Sequence, residues 1–264
     1  MPSQLRIGAL ISGGGTNLQA IIDACAAGRI DGRIVFVGTD NPGAKGLARA
    51  RQHDIPAFTV DYPRILRRCR ESPQTEPLPD DADLADLARR QRLKSSDADP
   101  GRLERYLHGR IRAEAALLAA MAPYPFDLLV LAGFMRNLTP YFIDRVNTEP
   151  GRPRIMNIHP ALLPAFPGTD GYGDTFRYGC RVGGCTVHFI DYGEDSGPII
   201  GQRAFTIAPQ DDLDAIRRKG LETEWQLYPE CIQLFAQGRL QVVERLHRLD
   251  GGGVYRRTVV EIAG

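Results

Sequence analysis

The order of apolar and polar positions alternates between two periods over the first sixty residues. Leu5 to Ser12 is a short apolar run that stops at Gly13-Gly14-Gly15, which predicts a strand running into a turn. Leu18, Ile21, Ile22 and Cys25 then recur at helical spacing, with Gly28 as the stop. Arg33 to Thr39 reads as a second strand, Ala44 to Gln52 as a short helix and Ala57 to Val60 as a third strand. Such alternation predicts a Rossmann-like α/β fold, a mostly parallel sheet with helices on both faces. Pro63 to Pro100 breaks the pattern, being rich in Arg, Asp and Pro. It reads as a surface excursion, helical around Ala82 to Arg92 and in part disordered.

Regular patterning returns with a helix over Leu103 to Met121, a buried strand over Phe126 to Ala132 and another over Arg154 to Ile158. A loop from Pro160 to Gly179 follows, then strands at Cys185 to Ile190 and Pro198 to Phe205 joined by an acidic turn. Asp211 to Phe235 predicts a long helix, and Leu240 to Arg245 with Val254 to Val260 a terminal hairpin across Asp250-Gly251-Gly252-Gly253. The whole reads as one domain over residues 1–264, with an insertion at about 63–100 and the hairpin at about 238–262.

Composition narrows the function classes. The 33 Lys+Arg and 32 Asp+Glu leave a formal charge of +1, which offers no field for nucleic acid. No apolar window approaches the ~18 residues of a membrane span, and the start lacks the layout of a secretory signal. The five cysteines are odd in number and scattered, and Cys180 and Cys185 have no second Cys/His pair nearby. Reduced thiols in a cytoplasmic protein, with no metal site, are expected.

Three candidate sites fall at predicted strand ends, where ligands collect in a parallel sheet. Ser12 to Asn17 joins glycines to a helix start, with Ser12, Thr16 and Asn17 as added donors. That favours a phosphate monoester over a dinucleotide, because Leu18 stands where the third fingerprint glycine would be. In Met156-Asn157-Ile158-His159-Pro160, strand alternation puts Asn157 and His159 on one side. An amide beside an imidazole suits polarising a carbonyl and moving a proton, although an isolated pair of this kind more often marks a satisfied core histidine. The proline behind His159 turns the chain out at the ligand face. The third candidate is the acidic turn Asp191 to Pro198, which alone reads as a solvated hairpin. Set against His159, one of its carboxylates would orient the ring and favour the imidazolium.

In order along the chain, Ile11 to Ile21, Leu131-Ala132-Gly133-Phe134-Met135-Arg136, Asn157-Ile158-His159-Pro160-Ala161-Leu162-Leu163-Pro164, Thr186-Val187-His188-Phe189, Asp195-Ser196-Gly197-Pro198-Ile199-Ile200, Tyr228-Pro229 and Gly238-Arg239-Leu240 resemble the folate-dependent formyltransferases. The match is nearest to the branch that formylates glycinamide ribonucleotide in purine biosynthesis, and it spans about residues 5–243. The resemblance implies that Gly15, Thr16 and Asn17 hold the ribonucleotide phosphate and that Glu224 contacts the same substrate. It implies that Met135, Arg136, Asn137 and Leu138 line the pterin pocket with the turn from Asp191 to Asp195. Asn157, His159 and Asp195 match the catalytic trio. The co-substrate would be 10-formyltetrahydrofolate, with no metal, no nucleic acid and no membrane, in a monomer or homodimer.

The chain departs from the family after Pro167-Gly168, where Thr169 to Asp174 replaces a His-Thr-His-like turn. Tyr172 is expected to take over a hydrogen-bonding role there. Trp225 follows Glu224 where a histidine is usual, and Arg102 is the counterpart considered for a basic residue at the folate glutamate tail. Three other readings stay open. A water acceptor would make a deformylase, which usually carries an extra N-terminal domain. An amino sugar or aminoacyl-tRNA acceptor is disfavoured by the phosphate turn and by the neutral charge and lack of a C-terminal RNA-binding domain. A non-catalytic nucleotide-binding domain would have no need of the trio.

Overall fold

Leu5–Ile11 (β1) and Leu128–Leu131 (β4) are buried along nearly their whole length, as strands covered on both faces must be. They lie side by side and parallel at the centre of a seven-stranded sheet. The computed structural model describes residues 4–94 and 99–264. Gly32–Thr39 (β2) and Ala57–Thr59 (β3) extend the sheet on one side, and Ile155–His159 (β5) adds to the other, all parallel. Val182–Phe189 (β6) and Ile199–Thr206 (β7) then run antiparallel, which completes the order β3-β2-β1-β4-β5-β6-β7.

Alternation divides the core into two layers. Ile7, Ala9, Ile11, Leu128 and Val130 face Thr16–Ala26 (α1) and Leu213–Ala236 (α8). Leu10, Leu129 and Leu131 face Pro100–Met121 (α5) and Pro140–Val146 (α6). Leu47–Gln52 (α2) is shorter than the sequence pattern predicts. Within α8, the Tyr228 hydroxyl donates to the Met156 carbonyl at 2.8 Å, pinning the helix against the strand that carries the site. The direction of chain progression reverses at β1, so the carboxyl ends of β1, β4 and β5 open into one crevice.

Two sequence expectations change. The stretch from Pro63 is on the surface and helical where expected, at Leu84–Arg90, but it is packed as an outer layer with a core of its own. Tyr62–Glu71 (α3) is capped by Asp61, and Leu84–Arg90 (α4) by Asp83. Leu87 joins Leu107, Ile111 and Tyr141 in a small core of its own, with Leu78 and Leu84 against it. About one apolar residue per turn is enough to dock a helix on α5, and so sparse a pattern reads as polar surface. Residues 95–98, within the part expected to be disordered, lie outside the described residues. The second change is in the loop from Pro160 to Gly179, which contains a short helix, Gly171–Arg177 (α7), with Tyr172 and Thr175 buried.

The hairpin is longer than predicted. Leu240–Arg248 (β8) pairs with Val254–Ile262 (β9) as a separate two-stranded sheet. All five cysteines are free. Among the described residues no helix is long and apolar enough to cross a membrane, and no group of three or more His, Cys, Asp or Glu is placed to hold a metal.

Candidate active site

The crevice deepens into a cleft of about 490 Å³ walled by the ends of β4 and β5, the loops after them, the acidic turn and α8. His159 is 3% exposed at the end of β5. Its Nδ1 lies 3.1 Å from Asp195 Oδ2, and its Nε2 lies 2.8 Å from the Phe166 carbonyl. Both ring nitrogens therefore face oxygen acceptors, an arrangement that a ring with two N–H groups satisfies. Asp195 holds a left-handed backbone, φ 49°, and its Oδ2 also accepts from the Gly168 amide at 2.8 Å. The carboxylate is thereby aimed at the imidazole from a turn that the β6–β7 connection delivers.

Asn157 lines the same wall. Its Nδ2 lies 3.3 Å from His188 Nε2, while His188 Nδ1 contacts the Phe189 carbonyl at 2.9 Å. Burial pushes the His188 imidazole below its ordinary range, so the neutral ring takes Nδ1–H as donor and Nε2 as acceptor. One amide hydrogen of Asn157 is thus fixed on His188, which leaves the other for a ligand in the cleft that Asn157 lines. Sequence reading noted His188 but gave it no role. Its position directly opposite Asn157 follows from the antiparallel register of β5 and β6, which no single-strand pattern reveals.

Also on the cleft wall, Glu224 on α8 accepts from Asn17 Nδ2 and from the Tyr172 hydroxyl, both at 2.6 Å. Asn17, Tyr172 and Glu224 all line the cleft. Burial pushes the Glu224 carboxyl up, and the two hydrogen bonds partly restore it. Asn17 Oδ1 has no protein partner. Gly220 makes room, since a Cβ there would sit 2.1 Å from the Tyr172 ring.

Gly15, at φ 68°, starts α1 without a side-chain cap, so the first-turn amides remain free for an anion. Gly15 and Thr16 are not on the cleft wall itself, whereas Asn17 is. Space beside Gly13 and Gly14 is open, with nothing within 4 Å of a built Cβ. Arg49 on α2 donates from Nε to the Gly14 carbonyl at 2.9 Å, bringing a cation to this turn that sequence reading overlooked. Its signal was weak, because a lone arginine on a short helix is ordinary surface chemistry.

The loop after β4 is held from beneath. Met135 N donates to Ser12 Oγ at 2.8 Å, and Ser12 Oγ and Arg136 Nε each donate to Asp40 at 2.5 Å. Arg110 bonds the Asn137 carbonyl, and buried Glu114 accepts from Thr139 N and Oγ1. Met135, Arg136, Asn137 and Leu138 all line the cleft. Asp191 does not: its Oδ1 accepts from Gly193 N and Ser196 Oγ, which closes the turn, and its Oδ2 pairs with Arg92 at 2.9 Å. Arg102 lies on the exposed first turn of α5, away from the cleft wall. Trp225 is part-exposed on the α8 surface.

Burial pushes the Glu114 carboxyl up to about 7, against the pull of Arg110 and Thr139. Its folded value therefore lies above the ordinary 4.5. Between these values the folded protein binds more protons than the unfolded chain. The stability is fully present below about 4.5 and is lost as the pH rises through about 7. Glu114→Gln is expected to remove this loss, roughly 3 kcal/mol at 1.36 kcal/mol per unit. Urea unfolding of both proteins from pH 4.5 to pH 8 reads it as a difference that widens with pH. A pH-independent difference would contradict it.

Residues 5–232 match the formyl transferase family. The chain belongs to that family. It is 32% identical over 246 residues to phosphoribosylglycinamide formyltransferase of Haemophilus influenzae, covering 93% of this chain and 94% of that protein. Glycinamide ribonucleotide transformylase 1 from Symbiobacterium toebii superposes with a TM-score of 0.70 at 36% identity, over 100% of this chain and 96% of that one. A formyltetrahydrofolate deformylase from Pseudomonas syringae shares the formyl transferase fold, with a TM-score of 0.67 at 17% identity over 100% of this chain and 67% of that one.

Proposed function

We propose that this protein transfers the formyl group of 10-formyltetrahydrofolate to the amine of glycinamide ribonucleotide in purine biosynthesis. The observation that carries the reading is convergence on one cleft. Asn157, His159 and Asp195 line it together with the bonded set Asn17, Tyr172 and Glu224, which stands beside an uncapped helix start. A cleft of about 490 Å³ falls in the range of small-molecule sites.

The ribonucleotide phosphate would sit on the Gly15, Thr16 and Asn17 turn near Arg49, with Glu224 accepting from substrate hydroxyls. The pterin would lie against Met135 to Leu138 and the acidic turn. The glycinamide nitrogen attacks the formyl carbon, forming a C–N bond and placing negative charge on the formyl oxygen. The free Asn157 amide hydrogen stabilises that oxyanion, joined by His159 Nε2–H once it exchanges the Phe166 carbonyl for the substrate oxygen while Nδ1 stays on Asp195. Asp195 sustains the charged ring. Collapse breaks the bond from the formyl carbon to folate N10, and the proton lost by the amine goes to that nitrogen by way of the His159–Asp195 pair. The products are the N-formyl ribonucleotide and tetrahydrofolate. The folate is a co-substrate, the reading assigns no step to a metal, and a single cytoplasmic domain of one or two copies is sufficient for it.

Purified protein with 10-formyltetrahydrofolate, with and without glycinamide ribonucleotide, tests the proposal by absorbance of the deformylated folate. Turnover that requires the ribonucleotide is expected. Equal turnover without it would make the protein a hydrolase, and no turnover in either mixture would leave a binding domain.

A further inference from the structure

The acidic turn must present Asp195 to two partners at once, yet its internal support is slight. Asp191 closes it through Gly193 and Ser196, Phe189 N donates to the Pro198 carbonyl at its base, and further bonds come from elsewhere in the chain. Asn137 donates to Glu194 at 2.9 Å, and Arg257 of the hairpin donates to the Ser196 carbonyl at 2.9 Å. The densest set comes from the inserted layer between β3 and α5. Arg90 donates to the Tyr192 hydroxyl at 2.6 Å and to Asp144 Oδ2 at 2.7 Å, and Tyr192 donates to Asp144 Oδ1 at 2.6 Å. The same guanidinium lies 5.0 Å from the centre of the Tyr192 ring and reaches Asp86 on its own helix. Two residues on, Arg92 N donates to the Tyr192 carbonyl at 2.8 Å, Arg92 pairs with Gly193 as a parallel bridge, and its side chain meets Asp191.

Building on the formyl transfer reading, we propose that the inserted layer is a positioning device for folate, in which Arg90, Tyr192 and Asp144 form a clasp that sets the Gly193–Asp195 wall of the cleft. Gly193, Glu194 and Asp195 line the cleft, whereas Arg90, Tyr192 and Asp144 do not, so the clasp acts only through the turn. An isolated surface ion pair contributes little. Here one planar cation bridges a carboxylate and a phenol that also bond each other, and it packs on the phenol ring, so four contacts depend on one geometry. The wall it sets is bonded to the Met135–Leu138 loop, the side assigned to folate, through Asn137 and Glu194, whereas Glu224 is bonded to Asn17 and Tyr172 and to no residue of the turn. The clasp therefore governs folate and spares the ribonucleotide.

Arg90→Ala and Tyr192→Phe test this. Each is expected to raise KM for 10-formyltetrahydrofolate about tenfold, equivalent to ~1.4 kcal/mol, with KM for glycinamide ribonucleotide unchanged. Calorimetric titration with a non-transferring deaza analogue of 10-formyltetrahydrofolate should show the same loss in Kd. Tyr192→Phe removes a single hydroxyl and decides the matter if Arg90→Ala does not fold. Unchanged folate KM and analogue Kd in a folded variant would overturn the clasp, as would an equal rise in both KM values, which marks general loosening. If the wild-type protein binds the analogue but transfers no formyl group, the functional reading fails while the titration still judges the clasp. A wild-type protein that does not bind the analogue overturns both.

Discussion

His159→Ala is expected to lower kcat for formyl transfer by about 10³-fold or more, while KM for 10-formyltetrahydrofolate stays within about threefold. The separation follows from where the ring sits. It is 3% exposed, held between Asp195 and the Phe166 carbonyl, and the wall assigned to the pterin comes from the loop after β4 and the acidic turn. Its contribution grows only as charge develops on the formyl oxygen, so its loss acts on the transition state and not on folate binding. A 10³-fold loss is about 4 kcal/mol of barrier. Asp195→Asn should cost less, about 10²-fold, because Gly168 N can still hold an amide oxygen in place. The double variant should be no slower than His159→Ala alone, since the carboxylate acts through the ring. Steady-state kinetics of the three proteins, with circular dichroism to confirm folding, reads this directly. Near-wild-type kcat in His159→Ala would remove the proposed acid. Additive losses in the double variant would give Asp195 a role of its own.

How much of this was legible in the sequence depended on whether a signal was local. The strand-turn-helix at β1 and α1 is written in consecutive residues, as is the alternation that sets Asn157 and His159 on one face, and both were readable. The acidic turn was readable as a source of a carboxylate for His159. Which carboxylate serves was known only through resemblance, because the positive φ at Asp195 and the use of Asp191 inside the turn are properties of the closed loop. His188 needed the β5–β6 register, and Arg49 needed the packing of α2 on the glycine turn. The inserted layer was misread because its apolar residues are spaced for one-sided contact with α5. Arg102, considered for the folate tail, stays on the outer turn of α5, while Arg90 and Arg92 reach the acidic turn across a distance in sequence that no motif spans.

Glu224→Ala carries the second large effect, a rise of about 100-fold in KM for glycinamide ribonucleotide with folate KM within about twofold. The carboxylate already accepts one hydrogen bond on each oxygen, from Asn17 and from Tyr172. A second lone pair on each oxygen remains for substrate hydroxyls. Removing it takes away those acceptors and strands the Asn17 amide and the Tyr172 phenol in a buried site, at a cost of ~1–3 kcal/mol for each unpaired group. Glu224→Gln separates these two consequences. Tyr172 can still donate to the remaining carbonyl oxygen, and Asn17 can turn its unpartnered Oδ1 toward the new amide, so the buried network stays paired. What is lost is the negative charge and one acceptor, and a rise of only about tenfold is expected. Two-substrate kinetics on both variants decides between the roles. If folate KM rises as much as ribonucleotide KM, Glu224 supports the whole cleft and not one substrate. If ribonucleotide KM does not move in the Ala variant, the phosphate-turn end of the cleft does not bind the ribonucleotide.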